Sequence, residues 1–186
     1  MFIHAGSGGV GTVAIQLAKH LGAFVATTTS TSNVDWVKAL GADVVIDYKN
    51  QQFETVLRDY DVVLHSLGND ALEKSLQILK PGGQLISISG PPTPDFAREQ
   101  RLSWPLKQVI RLISHGIRKK AKQHGVHYSF VFMKASGAQL SEISSLIEAE
   151  TIKPVVDRVF PLDSTADALA YVETGRAKGK VVIKVR

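Results

Sequence analysis

The chain opens on Phe2-Ile3-His4-Ala5-Gly6-Ser7-Gly8-Gly9-Val10-Gly11, a short apolar run that passes directly into a glycine-rich turn. The next residues fix the context: Val10, Val13, Ala14, Leu17 and Ala18 recur at helical spacing, so the turn joins a strand to an amphipathic helix. In a G-x-G-x-x-G turn of this kind each glycine has a task. Gly6 makes the tight turn, Gly8 lets backbone approach a pyrophosphate, and Gly11 lets helix and strand pack closely. The amides at the helix start face the anion, with Ser7, Gly9 and Val10 completing the cradle. The context favours a dinucleotide site over a merely flexible loop.

The remainder alternates short apolar runs with amphipathic stretches, which predicts an α/β fold: a doubly wound parallel sheet of Rossmann type with helices on both faces. Strands are predicted near 2–5, 23–28, 43–47, 61–65, 84–88 and 128–133, and helices near 9–21, 33–40, 51–58, 70–79, 103–122 and 136–149. Gly22 and Gly41 stand where helix ends need a left-handed residue, and Pro81-Gly82-Gly83 turns the chain before the fifth strand. After Pro154 the pattern is strand 155–160, helix 164–174 and strand 181–185, a short annex. This divides the chain into 1–153, a nucleotide-binding domain, and 154–186, a C-terminal return segment.

Composition narrows the function classes. A chain of 186 residues, 44% hydrophobic and 21% charged, suits a compact domain rather than disorder. It has no cysteine, which excludes disulfides and thiolate zinc sites. No apolar run approaches the roughly 20 residues of a membrane span, and no secretory signal is present. A cytoplasmic protein without membrane partners is expected. The net charge of +5 is uneven: no acidic residue lies between Glu99 and Glu142, while Arg101, Lys107, Arg111, Arg118, Lys119, Lys120, Lys122 and Lys134 do.

Cofactor choice turns on the end of the second strand. An NAD site places Asp or Glu there to bind the ribose 2′-hydroxyl. Here the stretch is Ala26-Thr27-Thr28-Thr29-Ser30-Thr31-Ser32-Asn33. Hydroxyls and an amide donate to a 2′-phosphate without charge conflict, so NADP(H) is expected, with Thr29, Ser30 and Asn33 as contacts. A competing reading makes the run a polar turn capped by Ser32 or Asn33.

Four motifs in order, Ala5-Gly6-Ser7-Gly8-Gly9-Val10-Gly11, Leu40-Gly41-Ala42-Asp43-Val44-Val45-Ile46-Asp47-Tyr48, Leu79-Lys80-Pro81-Gly82-Gly83 and Gly175-Arg176-Ala177-Lys178-Gly179-Lys180-Val181-Val182, resemble the medium-chain dehydrogenase/reductase superfamily. The likeness spans the chain and is strongest to the zinc-independent quinone oxidoreductase and enone reductase branch. It implies NADPH-dependent hydride transfer to a quinone or an α,β-unsaturated carbonyl. It also implies that Tyr48 lies near the 2′-phosphate, and that Ser66-Leu67-Gly68 and Ser89-Gly90-Pro91 border the ribose and nicotinamide. The chain departs from the pattern at Asn33, where some quinone reductases carry lysine, and at His65, where an acidic residue is common. Members of the superfamily carry a GroES-like catalytic domain before the glycine turn, so a truncated or split form with an incomplete substrate site is expected. No side chain is assigned as general acid.

Other constellations carry less. The Tyr-x-x-x-Lys pair of short-chain dehydrogenases is missing, since Gln52, Leu64, Phe132 and Gly175 stand four residues after Tyr48, Tyr60, Tyr128 and Tyr171. His124 and His127 have no third partner, and no metal site is predicted. His20 and His115 read as surface residues. The stripe Leu106, Val109, Ile110, Ile113 and Ile117 opposite Lys107, Arg111 and Arg118 reads as a helix with a solvated outer face, not a nucleic-acid surface. Tyr128–Met133 is an edge strand, which in similar proteins pairs across a two-fold axis, implying a homodimer. Two rival functions remain: an S-adenosylmethionine-dependent methyltransferase, which would want an acid ending the second strand, and a non-catalytic nucleotide-binding or interaction protein.

Overall fold

The computed structural model describes residues 1–186. In chain order the strands are β1 (Phe2–Ile3), β2 (Ala26–Thr29), β3 (Val44–Asp47), β4 (Tyr60–His65), β5 (Leu79–Ser87), β6 (His127–Phe130), β7 (Val156–Pro161) and β8 (Lys180–Lys184). The helices are α1 (Gly11–His20), α2 (Val34–Ala39), α3 (Phe53–Val56), α4 (Asn69–Ser75), α5 (Pro94–Glu99), α6 (Trp104–Ile113), α7 (His115–Gln123), α8 (Gly137–Glu148) and α9 (Thr165–Glu173). Strands β1–β6 make a parallel sheet of six strands, the doubly wound α/β class expected, and β7 and β8 form a separate parallel pair. Two compact units emerge, Met1–His4 with Asn50–Ala135, and Ala5–Lys49 with Ser136–Arg186.

In the first unit β1, β4, β5 and β6 are parallel neighbours in that order. Parallel strands covered on both faces are apolar, and Phe2, Ile3, Val63 and Leu85 are fully buried. The single turn of α3 carries Phe53 onto this core: its ring stacks on Phe2 at 5.0 Å and meets the His4 edge at 5.0 Å. His4 is itself 1% exposed, with Nε2 bonded to Ser75 Oγ at 2.8 Å and Nδ1 without a partner. Such a ring stays neutral, and burial, aided by His65, lowers its pKa to about 3.

In the second unit β2 and β3 are parallel neighbours. Asp43 ties them to α1, accepting from Lys19 Nζ at 2.8 Å and from Val25 N at 2.7 Å. The Lys19 bond comes first among the causes that hold the Asp43 carboxyl below its ordinary range. Gln16 on α1 clasps Lys153 with both ends of its amide, accepting from the 153 amide at 2.8 Å and donating to its carbonyl at 3.1 Å. Gly22 and Gly41 end their helices at φ +79° and +106°, as the sequence required.

Several expectations are corrected. Pro81-Gly82-Gly83 does not precede β5 but lies inside it: Tyr60 pairs with Leu79 and Val62 with Gln84, so four residues of β5 bulge opposite Asp61. The helix expected over 103–122 breaks at Ser114, which is buried and turns its hydroxyl back onto Ile110 O at 2.8 Å. Helix α5 was not anticipated, although Thr93 caps Phe96 N and Pro94 follows at the first position. The apolar stripe divides: Ile117 is buried, whereas Leu106, Val109 and Ile113 are each more than half exposed. The strand expected to reach 133 ends at Phe130, because β5 ends at Ser87 and offers only one more acceptor, to Val131 N at 2.9 Å.

The His4 shift has a direct consequence for acid stability. The unfolded chain takes up the proton first, so the contribution of His4 is intact above pH 6.5 and is lost as pH falls toward 3. Between pH 7 and pH 5 the loss is about 2 kcal/mol. Urea melts at the two pH values should show this difference, and His4→Phe should shrink it; equal slopes for the two proteins would remove His4 from the account.

Candidate functional site

The glycine turn is shaped by contacts at backbone distance. Gly6 N donates to Thr28 O and Gly8 N to Ala5 O, both at 2.9 Å, which curls the chain so that α1 begins immediately above it. A Cβ at Gly11 would overlap Ala5 O and stand 2.8 Å from the Gly6 Cα, so helix and turn touch as the fingerprint demands. At Gly8 the same test meets only Ala5 O, at 3.3 Å, leaving its open side clear. Helix α1 begins just after Val10, and Thr12 N donates back to Gly8 O at 3.0 Å.

The return segment closes on this turn. Gly179 N donates to Ser7 O at 2.9 Å, and Gly8 and Gly179 form a parallel bridge. Gly179 has no room for a side chain, since a Cβ would overlap the Val155 carbonyl. A side chain at Gly9 would likewise press on Gly179 O and the Lys180 ammonium, each 3.1 Å away. Between α9 and this bridge, residues 175–178 are held by Asp157, which accepts from Tyr171 Oη at 2.7 Å and from Lys178 N at 3.1 Å. Those bonds, Tyr171 first, keep the Asp157 carboxyl ionised below its usual range. Arg158 lies over the Tyr171 ring at 4.0 Å and steadies it.

The result is a cleft of about 540 Å³ lined by Ser7, Ser30, Ser32, Asn33, Tyr48 and Lys49 on one side and by Gly175, Arg176, Ala177 and Lys178 on the other. It holds hydroxyls, an amide and three cations, and no carboxylate. That donor set fits a phosphate group, and the bare backbone at Gly8 fits a pyrophosphate. Of the residues expected at the second strand's end, Ser30, Asn33 and Tyr48 line the cleft, whereas Thr29 is 1% exposed with its Oγ1 unpartnered. Asn33 caps no helix with its side chain; its amide donates to Ser30 Oγ at 3.0 Å and accepts from Trp36 Nε1 at 3.0 Å. Lys49, Arg176 and Lys178 were missed. The signal for the last two was the Gly175-to-Gly179 run itself, a basic loop between two glycines.

Leu67, Gly68, Ser89 and Gly90 come together in the first unit. Ser89 Oγ donates to Leu67 O at 2.8 Å, and Gly90 N donates to Ser87 Oγ at 2.7 Å. Leu67 is exposed, so this loop pair presents a partly apolar edge. No three His, Asp or Glu side chains gather where they could hold a metal ion.

Known proteins share this arrangement. The family model described as zinc-binding dehydrogenase matches residues 40–183. NAD(P)H oxidoreductase RTN4IP1, mitochondrial, from Danio rerio is 35% identical over 191 residues, covering 100% of this chain and 49% of the relative. NADPH-dependent alkenal/one oxidoreductase, chloroplastic, from Arabidopsis thaliana is 35% identical over 182 residues, 96% of this chain and 38% of the relative. The solved quinone oxidoreductase from Coxiella burnetii superposes with a TM-score of 0.82 at 31% identity, over 100% of this chain and 52% of that one. The chain thus spans about half or less of the length of these curated relatives.

The turn geometry separates two substitutions. Gly11→Ala forces backbone against backbone and should cost about 3 kcal/mol of stability, whereas Gly8→Ala should cost about 1 kcal/mol or less. Chemical denaturation of the two variants checks the order; a Gly11→Ala protein as stable as the parent would refute the contact.

Proposed function

This chain belongs to the zinc-binding dehydrogenase family, and from that premise we propose that it binds NADPH and serves hydride transfer to a quinone or an α,β-unsaturated carbonyl. The observation that carries the reading is the carboxylate-free cleft, in which Ser30, Asn33, Tyr48, Lys49, Arg176 and Lys178 converge on a space suited to a 2′-phosphate. The names of the Arabidopsis and Coxiella relatives, an NADPH-dependent alkenal/one oxidoreductase and a quinone oxidoreductase, support the choice of cofactor and acceptor. A methyltransferase would want a carboxylate on ribose hydroxyls at the end of β2, and none lines the cleft.

In this proposal each group has one task. Gly6–Gly11 and the amides at the start of α1 hold the pyrophosphate. Lys49, Arg176 and Lys178 neutralise the 2′-phosphate while the hydroxyls and the Asn33 amide donate to it. Leu67, Gly68, Ser89 and Gly90 border the ribose and nicotinamide. When bound, the nicotinamide supplies the hydride, so the protein's part is to orient rings and exclude water. The zinc in the family's name does not fit these residues, which lack cysteine and a three-ligand cluster, and no step is routed through it. Residues 1–153 are assigned to nucleotide binding and 154–186 to the return segment that completes the cleft.

A homodimer through residues 128–133 is part of the same proposal. Its support is the edge position of β6 and the exposure of Val131, Phe132 and Met133. No helix is long and apolar enough to cross a membrane. A cytoplasmic location is proposed with it, although one relative is mitochondrial and another chloroplastic, and cell fractionation decides.

Calorimetry separates the cofactors. NADPH should bind at least tenfold more tightly than NADH, and Arg176→Ala should weaken NADPH by about tenfold while leaving NADH unchanged. Equal affinities in the parent chain would sink the 2′-phosphate assignment. Oxidation of NADPH by a panel of quinones and enones tests turnover, and binding without turnover would favour a nucleotide-binding role. Light scattering at micromolar concentration should report a dimer that Phe132→Glu dissociates; a monomeric parent chain ends that part.

A further inference from the structure

The first unit buries two imidazoles, and only His65 reaches the backbone of the exposed loops. It ends β4, is 0% exposed, and bridges two segments: Nε2 stands 3.2 Å from Gly68 O, and Nδ1 stands 2.9 Å from Ser87 Oγ. A carbonyl only accepts, so Nε2 carries the proton. Nδ1 is then the acceptor, and Ser87 donates its hydroxyl proton to it. The lone pairs of Ser87 Oγ are used in turn by Gly90 N at 2.7 Å and Ser89 N at 3.3 Å. Ser89 Oγ closes the ring of contacts by donating to Leu67 O at 2.8 Å. Ser89 Oγ also stands 3.5 Å from His65 Nδ1, so the imidazole touches both hydroxyls of the circuit.

We propose that His65 is the positioning residue of the nicotinamide-ribose edge: by donating to Gly68 O and accepting from Ser87 it locks loops 66–68 and 87–90 into a single arrangement, an inference that rests on the cofactor reading above. An ionised carboxylate at this position could not do this, because it has no proton to give Gly68 O. The imidazole makes the lock depend on protonation. A second proton would sit on Nδ1 and face a Ser87 oxygen whose acceptor sites are already taken by two amides.

The groups around His65 leave it in charge of its own titration. From β1 comes His4, whose ring centroid is 5.5 Å away and which stays neutral down to about pH 3. From β6 comes Tyr128, whose hydroxyl donates to Pro91 O and reaches Ser87, and which burial pushes to about 12. Asp70 of α4 pairs with Lys74, and neither imidazole has a carboxylate partner. Burial lowers the His65 pKa and the Gly68 bond opposes it only in part, so the lock opens below the ordinary histidine range.

Titration calorimetry of the full chain with two probes tests this, NADPH and 2′,5′-ADP, which has the phosphate end but no nicotinamide. His65→Phe should weaken NADPH about tenfold and leave 2′,5′-ADP unchanged. His65→Asn keeps an acceptor toward Ser87 and His65→Gln keeps a donor toward Gly68, so each should fall between parent and His65→Phe. As pH drops from 8 to 5 the ratio of NADPH to 2′,5′-ADP dissociation constants should rise more in the parent chain than in His65→Phe, a difference in which titration of the probes' own phosphates cancels. Equal weakening of both probes, unchanged NADPH binding, or the same pH dependence of the ratio in parent and His65→Phe each overturns the proposal. If His65→Phe does not fold, selective weakening of NADPH by the Asn and Gln variants carries it, and its absence defeats it. A parent chain that binds neither probe refutes the cofactor reading instead, whereas one that binds 2′,5′-ADP and NADPH equally in every variant refutes only the role of His65.

Discussion

The cleft of the second unit depends on one backbone seam, where Gly179 N meets Ser7 O and residue 179 lies alongside the glycine turn. The seam exists because two positions have no side chain to hold the strands of backbone apart. At Gly9 a Cβ would press on Gly179 O, and at Gly179 it would collide with Val155 O. Close approach is therefore a steric condition before it is a hydrogen-bonding one. Once met, it decides where the basic loop 175–178 goes, because Asp157 and Tyr171 hold that loop from β7 and α9. The hydroxyl-rich end of β2 and the cations of the return segment then share a cleft by construction.

The first half of that arrangement was legible in the sequence, and the second was not, for a physical reason. A strand, a glycine turn and a helix are contiguous, so their hydrogen bonds and apolar periodicity are written in adjacent residues. Ser30 and Asn33 come from the same local reading, since both follow β2 closely, whereas Tyr48 comes from the family resemblance. Arg176 and Lys178 are brought in by a long-range closure that no local pattern encodes, and the residues adjacent to β2 in sequence include no arginine. Thr29 shows the converse limit: a hydroxyl at the right place in sequence turned inward on the pleat, while Ser30 next to it reached the cleft. The split helix at Ser114 and the capped turn at Thr93 were legible in principle, since both rest on short-range hydroxyl bonds that compete with the hydrophobic period.

The two histidines of the first unit illustrate how differently a buried polar ring can be used. His4 sits among Phe2, Phe53 and Ser75 and leaves one nitrogen unbonded, a cost that the aromatic cluster around it must offset. His65 leaves nothing unbonded: Nε2 connects to the loop carbonyl of Gly68 and Nδ1 to Ser87 at the end of β5, just before the 88–90 loop. Burial is the first cause that depresses both rings toward the neutral form, aided at His4 by His65. Only the second converts that neutrality into a defined tautomer, and a defined tautomer is what orders the polar groups of two loops at once.

Charge in the cleft obeys the same logic of groups held in place before they are needed. Most lysines near carboxylates in this chain are paired, among them Lys19 with Asp43, Lys74 with Glu54 and Lys120 with Glu73. Lys49, Arg176 and Lys178 enter none of these pairs; Asp47 accepts from the Lys49 amide at 3.0 Å, and Asp157 accepts from Tyr171 Oη and the Lys178 amide. Three like charges around one space repel, and partial exposure to water reduces that repulsion without removing it. A ligand bearing a dianionic phosphate relieves that repulsion, whereas one with a hydroxyl at the same point does not. On the proposed NADPH reading, selectivity requires that no carboxylate be placed where it would neutralise the cations first. The Thr/Ser run at the end of β2 meets that requirement, which makes the missing acid and the distant cations two parts of one electrostatic design.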